Sequence, residues 1–535
     1  MNLIKKIRGV LSYKEQVVIV ISAIVLVLSF ITRTSIALEE NNIWVPVAGG
    51  AYREGVIGQP IALNPIISSN PVDEDISKLI YSSLTDLIQD YEIKEDGKVY
   101  VLKLKEGLRW DDDQPLNAND VIFTIETVQD PTTRSPLAKS WNGVVAERIS
   151  EVRVSLTLRN PYVFFEENMN RLPIIPKHIF GSVPSSNLKL SSYNLEPVGS
   201  GPYRLKELSR RRDGFITSYH LVANENYSKE KPFVNDFYFK FYEDIKSIEN
   251  DFALRKIDGF GSLNLIDEKN FNSGLAVNKI PMPRYYAIFF NPNTNPVLKD
   301  KNLRIALQEA INKESINKEI FSGNAEMING PLGKFMEVGT EAVVTYNPED
   351  AKKKIDSSNT KKISLTLITP KVDFLISAAE MIKSDWLAAG INEVNIVSLS
   401  PDELLENVVK PNNYEMILFG NALDNTMDLY PFWHSSQRFY PGLNLALYKN
   451  VKVDNLLETL RRTPSLEERK SIAQNAQSLI TQDNPAAFLF SLPYTYIHTQ
   501  NLLGFYFQDG KYVARASDRF NEINKWYFSK VRVIR

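Results

Sequence analysis

Residues 99–126 read VYVLKLKEGLRWDDDQPLNANDVIFTIE. The first part alternates, with Tyr100, Leu102 and Leu104 on one side and Lys103 and Lys105 on the other, which predicts a half-buried strand. Gly107 permits a sharp bend, and Gln114-Pro115 opens a second turn. Asn117 then stands where a helix N-cap belongs. Asp120 follows three positions later, as in a capping box with Asp in place of Glu. Val121, Ile122, Ile125 and Val128 carry the apolar stripe of the helix that follows. Between strand and helix lie Trp110, expected to plug the core, and three successive aspartates, Asp111, Asp112 and Asp113. A calcium loop needs alternating oxygen ligands, a glycine and a distal glutamate, and this spacing has none of that order. The aspartates are read as shaping a turn.

The chain has 535 residues, enough for about two to four domains. A net charge of -2 with 24% charged residues offers no basic field for nucleic acid. Cysteine is absent, which excludes disulfides, a thiolate nucleophile, a cysteine zinc site and a cysteine lipid anchor. The 24 Tyr and 27 Phe suit either a grip on organic ligands or large cores. Lys5, Lys6, Arg8 and Lys14 flank the start of an apolar run, VVIVISAIVLVLSFI, at residues 17–31. The run is short for a membrane span and long for a signal-peptide core. Basic residues on its leading side hold that side in the cytoplasm and send the rest of the chain outside. An uncleaved anchor is the favoured reading because the basic leader is long; Ser35-Ile36-Ala37 is the alternative cleavage site.

Farther along, a helical pattern covers residues 73–87, and EVRVSLTLRN at residues 151–160 alternates as a strand. NLRIALQEAINKESINKEIF, ISAAEMIKSDWLAAGI (ending at the capping Gly390) and LEERKSIAQNAQSLITQD read as amphipathic helices. KISLTLIT, VNIVSL, YEMILFG and AAFLFSL read as strands, so residues 362–491 form an α/β unit with parallel strands expected.

Residues 99–126 also resemble the signature of the family 5 extracellular solute-binding proteins, the peptide- and nickel-binding subunits of bacterial ABC importers. EGVIGQPIALNPI, PVGSGPYRLKEL, YYAIFFNPNTNPVLKDKNLRIALQEAINKESI and YKNVKVDNLLETL resemble further family segments in the same order, from about residue 49 onward. The resemblance implies a mixed α/β, periplasmic-binding-protein-like fold: two lobes built from three domains around a cleft, with two connecting strands as hinge. The expected division is an anchor segment at 1–45 and domain I at 46–78, 197–282 and 500–535. Domain II is expected at 79–196 and domain III at 283–499.

By the same resemblance, Asp424 in FGNALDNTMDLYPFW (residues 419–433) falls on the position that pairs with a peptide α-amino group. Asp428 is the second aspartate of that motif. Asn421 and Leu429 depart from the motif's tryptophan and proline, which weakens the peptide assignment more than the family assignment. For Asp424 the competing reading is a loop cap or solvated carboxylate. Lys371 lies where dipeptide-binding relatives place a basic residue for the ligand carboxylate, the alternative being a solvated lysine. Trp433 is a candidate cleft wall or a core residue, and His434 has no neighbouring histidine to make a metal site. No catalytic residue, metal or cofactor is expected.

The leading expectation is a substrate-binding component of an ABC importer that captures oligopeptides outside the membrane, monomeric, and hands them to permease subunits. A sugar oligomer, metal chelate or haem is the alternative guest. An extracytoplasmic hydrolase is the competing class, but no paired acids stand out and neither G-x-S-x-G nor H-E-x-x-H occurs. A sensor or chaperone that does not transport is a third. The chain lacks G-x-x-x-x-G-K-[ST], so the ATPase belongs to another subunit.

Overall fold

The computed structural model describes residues 12–40, 42–68, 70–263, 266, 274–333, 344–358, 360, 362–424, 426–506 and 512–534. The apolar run lies in one helix, Tyr13–Glu40. Its stretch Tyr13–Arg33 is long and apolar enough to cross a membrane, and none of it is buried against the body.

β1 (Asn42–Val47) and β2 (Ala51–Ile57) follow. β3 (Ile88–Lys94), β4 (Val99–Leu104), β5 (Val145–Ser150) and β6 (Arg153–Thr157) form an antiparallel sheet in the order β3-β4-β6-β5. β4 and β6 are the two strands expected from alternation. Tyr100 stands opposite Leu156 and Leu102 opposite Val154, so their apolar residues share one buried face. β7 (Tyr203–Arg210), β8 (Ile216–Ala223), β9 (Asp236–Tyr242), β10 (Gly259–Ser262) and β11 (Leu275–Ile280) belong to a second sheet with β2. β12 (Arg284–Phe290), β13 (Glu326–Met327), β14 (Ser364–Pro370), β15 (Glu393–Leu399), β16 (Met416–Ala422) and β17 (Ala486–Ser491) form a third, in the order β13-β17-β12-β16-β14-β15. β18 (Tyr494–Thr499) returns to the second sheet, ordered β11-β18-β10-β2-β9-β8-β7. β19 (Ser529–Ile534) pairs with β1 as a separate two-stranded ribbon.

The four strands expected in residues 362–491 are all present, but the sheet is mixed. β14 runs parallel to β15 and β16, whereas β12 is antiparallel to both β16 and β17. The antiparallel pairs arise because β12 enters and β17 leaves through the same end of the sheet. Helices cover both faces, and β12 shows the split: Ile288 and Phe290 point into one core, Ala287 and Phe289 into the other. β18 lies in the second sheet, so the chain leaves the third sheet before residues 492–493, ahead of the boundary expected at 499.

Those crossings are the hinge. β11 leads into β12 through Pro281, Met282 and Pro283, and β17 into β18 through Leu492 and Pro493. The two run side by side, since Ile280 pairs with Tyr494 on one side and Tyr286 with Phe490 on the other. Prolines carry no N–H, so the ladder cannot continue across the gap and two sheets form instead of one.

Two expected helices are each broken once. The pattern over residues 73–87 becomes Pro71–Ile80 and Leu84–Leu87, because the Ser82 hydroxyl donates to Ser200 O at 2.8 Å and Ser83 caps a new start. Here the segment leading into β7 runs against the backbone at Ile80. A Cβ on Gly199 would stand 2.0 Å from Ile80 O, and one on Gly201 2.6 Å from Ile80 C, so both positions need glycine. Asn302 to Phe321 likewise splits into Lys301–Glu309 and Lys313–Phe321, where Asn312 caps the second piece by accepting from Ser315 N.

The aspartates tie the turn to this junction. Asp111 N–H donates to Gly199 O at 2.9 Å, and its carboxylate accepts from Gly199 N–H at 3.2 Å. Asp112 meets His178 at 2.8 Å, and Asp113 accepts from Asn226 Nδ2 at 2.9 Å. Trp110 is fully buried, and Asn117 and Asp120 form the capping box.

One buried ion network clamps the second sheet. Arg519 donates to Glu54 Oε1 on β2 at 2.8 Å, and to Asp75 Oδ1 and Oδ2 at 2.8 and 2.7 Å. The Tyr496 hydroxyl on β18 donates to Glu54 Oε2 at 2.7 Å. Burial pushes the Glu54 carboxyl up, and Arg519 opposes that. Arg519→Leu would strand two buried carboxylates and is expected to cost about 3–5 kcal/mol, read as a fall in thermal midpoint by calorimetry.

Burial also raises the Asp111 pKa to about 6, with Asp112 adding to the rise. The folded state therefore holds this proton at pH values where the unfolded chain, titrating near 3.9, has lost it. Stability from this group is present below about pH 4 and declines as pH rises through 6. Asp111→Asn, which keeps the acceptor for Gly199, is expected to exceed the wild type by up to about 2 kcal/mol at pH 7.5. Urea titrations should show the gap closing by pH 4.

Candidate functional site

β16 carries the loop that faces the cleft. Its last residues deliver Leu423, whose N–H donates to Pro283 O in the hinge at 2.6 Å, and the chain then presents Asp424. The opposite wall is built by residues 160–171. There Tyr162 and Phe164 precede the short helix Phe165–Asn170, and Arg171 caps its C-terminal end. A cavity of about 500 Å³ lies between the walls, lined by Lys139, Tyr162, Arg171, Asp424, Tyr430 and Arg461 among others. That volume is in the range of small-molecule sites.

Asp424 is half-exposed, and its carboxylate pairs with the Arg171 guanidinium from the other lobe. Burial lowers the Arg171 pKa to about 10, and the nearby Arg515 pushes the same way. Arg171, Glu167 and Pro136 also line a second cavity of about 220 Å³, so the Arg171–Asp424 pair stands in the wall between the two. This second space carries several charged groups: Glu74 pairs with Arg515 at 3.3 Å, and Lys78 lies 3.9 Å from Asp518. Burial pushes the Glu74 and Glu167 carboxyls up.

Asp428 is differently placed. It is 6% exposed and takes Arg461 on both oxygens, with Nε at 3.0 Å from each and Nη2 at 2.7 Å from Oδ2. The Tyr162 hydroxyl from the other lobe donates to Oδ2 at 3.0 Å. Its lone pairs are thus spent within the protein, and the expected ligand contact gives way to a bridge between lobes. The Arg461 guanidinium also lies 3.8 Å from the Tyr430 ring centroid, and Arg461 O accepts from Val163 N–H at 2.9 Å. Phe164 enters the apolar core of the opposite lobe, and Lys139 donates to Gln437 at 2.9 Å.

Trp433 does not wall the cleft. It is fully buried against Phe289, Tyr448 and Phe488, because the turn Tyr430–Trp433 points Tyr430 and Phe432 into the cavity and Trp433 into the core. Lys371 is likewise remote from Asp424. It follows the end of β14 and lines another cavity, about 430 Å³, with Phe321, Phe374, Leu492 and Pro493 beside the hinge. His434 stacks on Tyr430 and meets Ser436 Oγ at 2.8 Å. Of the four candidates, only Asp424 and Asp428 come together. Arg171, Tyr162 and Arg461 were not singled out from sequence; the aromatic cluster after Pro161 was the one available signal.

Two lobes joined by a two-strand hinge, with charged and aromatic groups facing each other across a cleft, define a clamp that closes on a solute. The chain matches the profile of the bacterial extracellular solute-binding proteins, family 5 (middle region), over residues 84–440, and it belongs to that family. It is 26% identical to the oligopeptide-binding protein AppA of Bacillus subtilis over 91% of this chain and 93% of that one. It is 23% identical to the dipeptide-binding protein of Escherichia coli, over 81% and 87%. The structure of Bacillus subtilis AppA in complex with a nonapeptide superposes with a TM-score of 0.73 at 25% identity, over 91% of this chain and 100% of that one.

Tyr162→Phe removes one interlobe hydrogen bond and leaves Arg461 paired, so it should cost about 1 kcal/mol. Asp428→Ala leaves the part-exposed Arg461 and the Tyr162 hydroxyl without their acceptor and should cost about 1–3 kcal/mol, with a larger radius of gyration in small-angle scattering as the lobes part. A radius unchanged in both variants would rule out the bridge.

Proposed function

We propose that this protein is the peptide-capturing component of an ABC importer, held on the outer face of the membrane by the helix Tyr13–Glu40. A guest enters the interlobe cleft with its α-ammonium on Asp424, and the closed lobes present it to a permease. The observation that carries this reading is the Asp424 carboxylate at the mouth of β16, neutralised by a cation from the facing lobe. That partner carries the same positive charge as an ammonium group, and a half-exposed pair exchanges partners at little cost. The similarity to oligopeptide- and dipeptide-binding proteins supports the same class of guest. Guest contacts to both lobes supply the differential affinity that closure requires.

A pool of short peptides is expected to raise the thermal midpoint, because guest binds only the folded protein. N-acetylated peptides and the Asp424→Ala variant should show little of that rise. Arg171→Gln removes the competing cation and should tighten free-amine peptides up to about tenfold in titration calorimetry, which corresponds to 1.4 kcal/mol. A full shift retained in Asp424→Ala would reject the amine assignment. Native mass spectrometry of freshly purified protein reads the class and length of any guest directly.

A further inference from the structure

The ribbon of β1 and β19 stands apart from the three larger sheets. The membrane-length helix ends at Glu40 and β1 begins at Asn42. Register places Ile43 opposite Val533 and Val45 opposite Val531, giving one apolar face. Trp44 lies opposite Arg532 and Pro46 opposite Lys530, giving a second face of aromatic and basic groups. Neither strand contains an acidic residue. Ile43, Trp44, Val531 and Val533 are 42–58% exposed, and Lys530 Nζ sits 5.1 Å from the Trp44 ring centroid.

An isolated two-stranded ribbon is marginal in water and gains stability from a surface to lie on. Distance from the bilayer is set by the helix: from Arg33 to Glu40 it rises about 10 Å. The headgroup layer is about 5–8 Å deep, so the ribbon starts at its outer edge. Tryptophan and basic side chains are the residues that settle at such an interface. We propose that this ribbon is a lipid-docking element that lies on the headgroup layer of an anionic bilayer, with Trp44 inserted and Lys530 and Arg532 against acidic phospholipid. The inference rests on the reading of Tyr13–Glu40 as an anchor. It adds a second attachment, contributed by a strand nearly 500 positions after that helix, that holds the body at a defined orientation to the membrane surface.

Tryptophan fluorescence tests it, because Trp44 is the exposed one of six; Trp110, Trp141, Trp386, Trp433 and Trp526 are at most 1% exposed. The full chain is reconstituted in brominated phosphatidylcholine vesicles with or without one-third phosphatidylglycerol, and flotation after a carbonate wash is measured alongside. Expected are flotation in both lipids, quenching of the exposed-tryptophan fraction that is stronger with phosphatidylglycerol, and its loss in Trp44→Phe. The doubly substituted chain Lys530→Gln, Arg532→Gln should lose about half of that quenching or more. Flotation without quenching, or quenching indifferent to lipid charge and to the double substitution, overturns the docking proposal and leaves the anchor standing. Shielding of Trp44 from acrylamide without lipid quenching points to a second copy or a membrane protein as occupant and overturns it as well. Failure to float overturns the anchor reading, and the docking proposal falls with it.

Discussion

The architecture depends on a ladder that cannot be continued. Strands β11 and β18 pair in one sheet and their continuations β12 and β17 pair in another, and Pro281, Pro283 and Pro493 remove three of the five backbone donors in the gap between them. A single sheet would have made a rigid body. With the ladder interrupted, each lobe keeps its own core, and the cleft lies where the two cores face each other across the crossings. The carbonyl of Pro283 then serves a second purpose, accepting from Leu423 N–H and fixing the loop that carries Asp424 directly to the pivot. The Asp424 carboxylate is therefore positioned by the same segment that joins the lobes.

Burial sorts the ion pairs by role. Arg519, Glu54 and Asp75 lie inside one lobe with nearly all their surface removed from water, and every oxygen and nitrogen they bring has a short partner. Separating such a group leaves a buried charge, so the network is permanent. Arg171 and Asp424 belong to different lobes, and the carboxylate keeps 43% of its side-chain surface. Water or another cation can take either partner, so that pair is exchangeable. Asp428 and Arg461 fall between: the pair is held within one lobe, and the Tyr162 hydroxyl borrows it from the other.

Much of this was legible from local pattern. β4, β6 and β14 to β17 follow from hydrophobic periodicity, the N-terminal helix from its continuous apolar run (shorter in the sequence reading than the helix itself), the helix start at Asn117 from its capping box, and the three aspartates from the turn chemistry around Gly107 and Pro115. Ordered motifs carried the family and the position of Asp424 at the end of β16. Parallel strands were expected in residues 362–491 where the sheet is mixed, because periodicity reports which face of a strand is buried and is silent about direction. Trp433 stood open between wall and core, with core the commoner place for such an aromatic, since a four-residue turn has no period from which to tell which side each residue faces.

What the sequence determined by itself, then, was most of the strands and helices and the loop after β16 that carries Asp424, because those depend on spacings of two to four positions along one segment. The tertiary structure alone decided the partners: that Arg171 faces Asp424, that Asp428 is taken by Arg461 and by Tyr162 at a separation of 266 positions, and that Lys371 belongs to a different cavity. It also decided that a strand near residue 530 pairs beside the membrane helix. Such meetings are set by how the sheets cross at the hinge, and no short-range pattern in a single chain records which distant segments that crossing brings together.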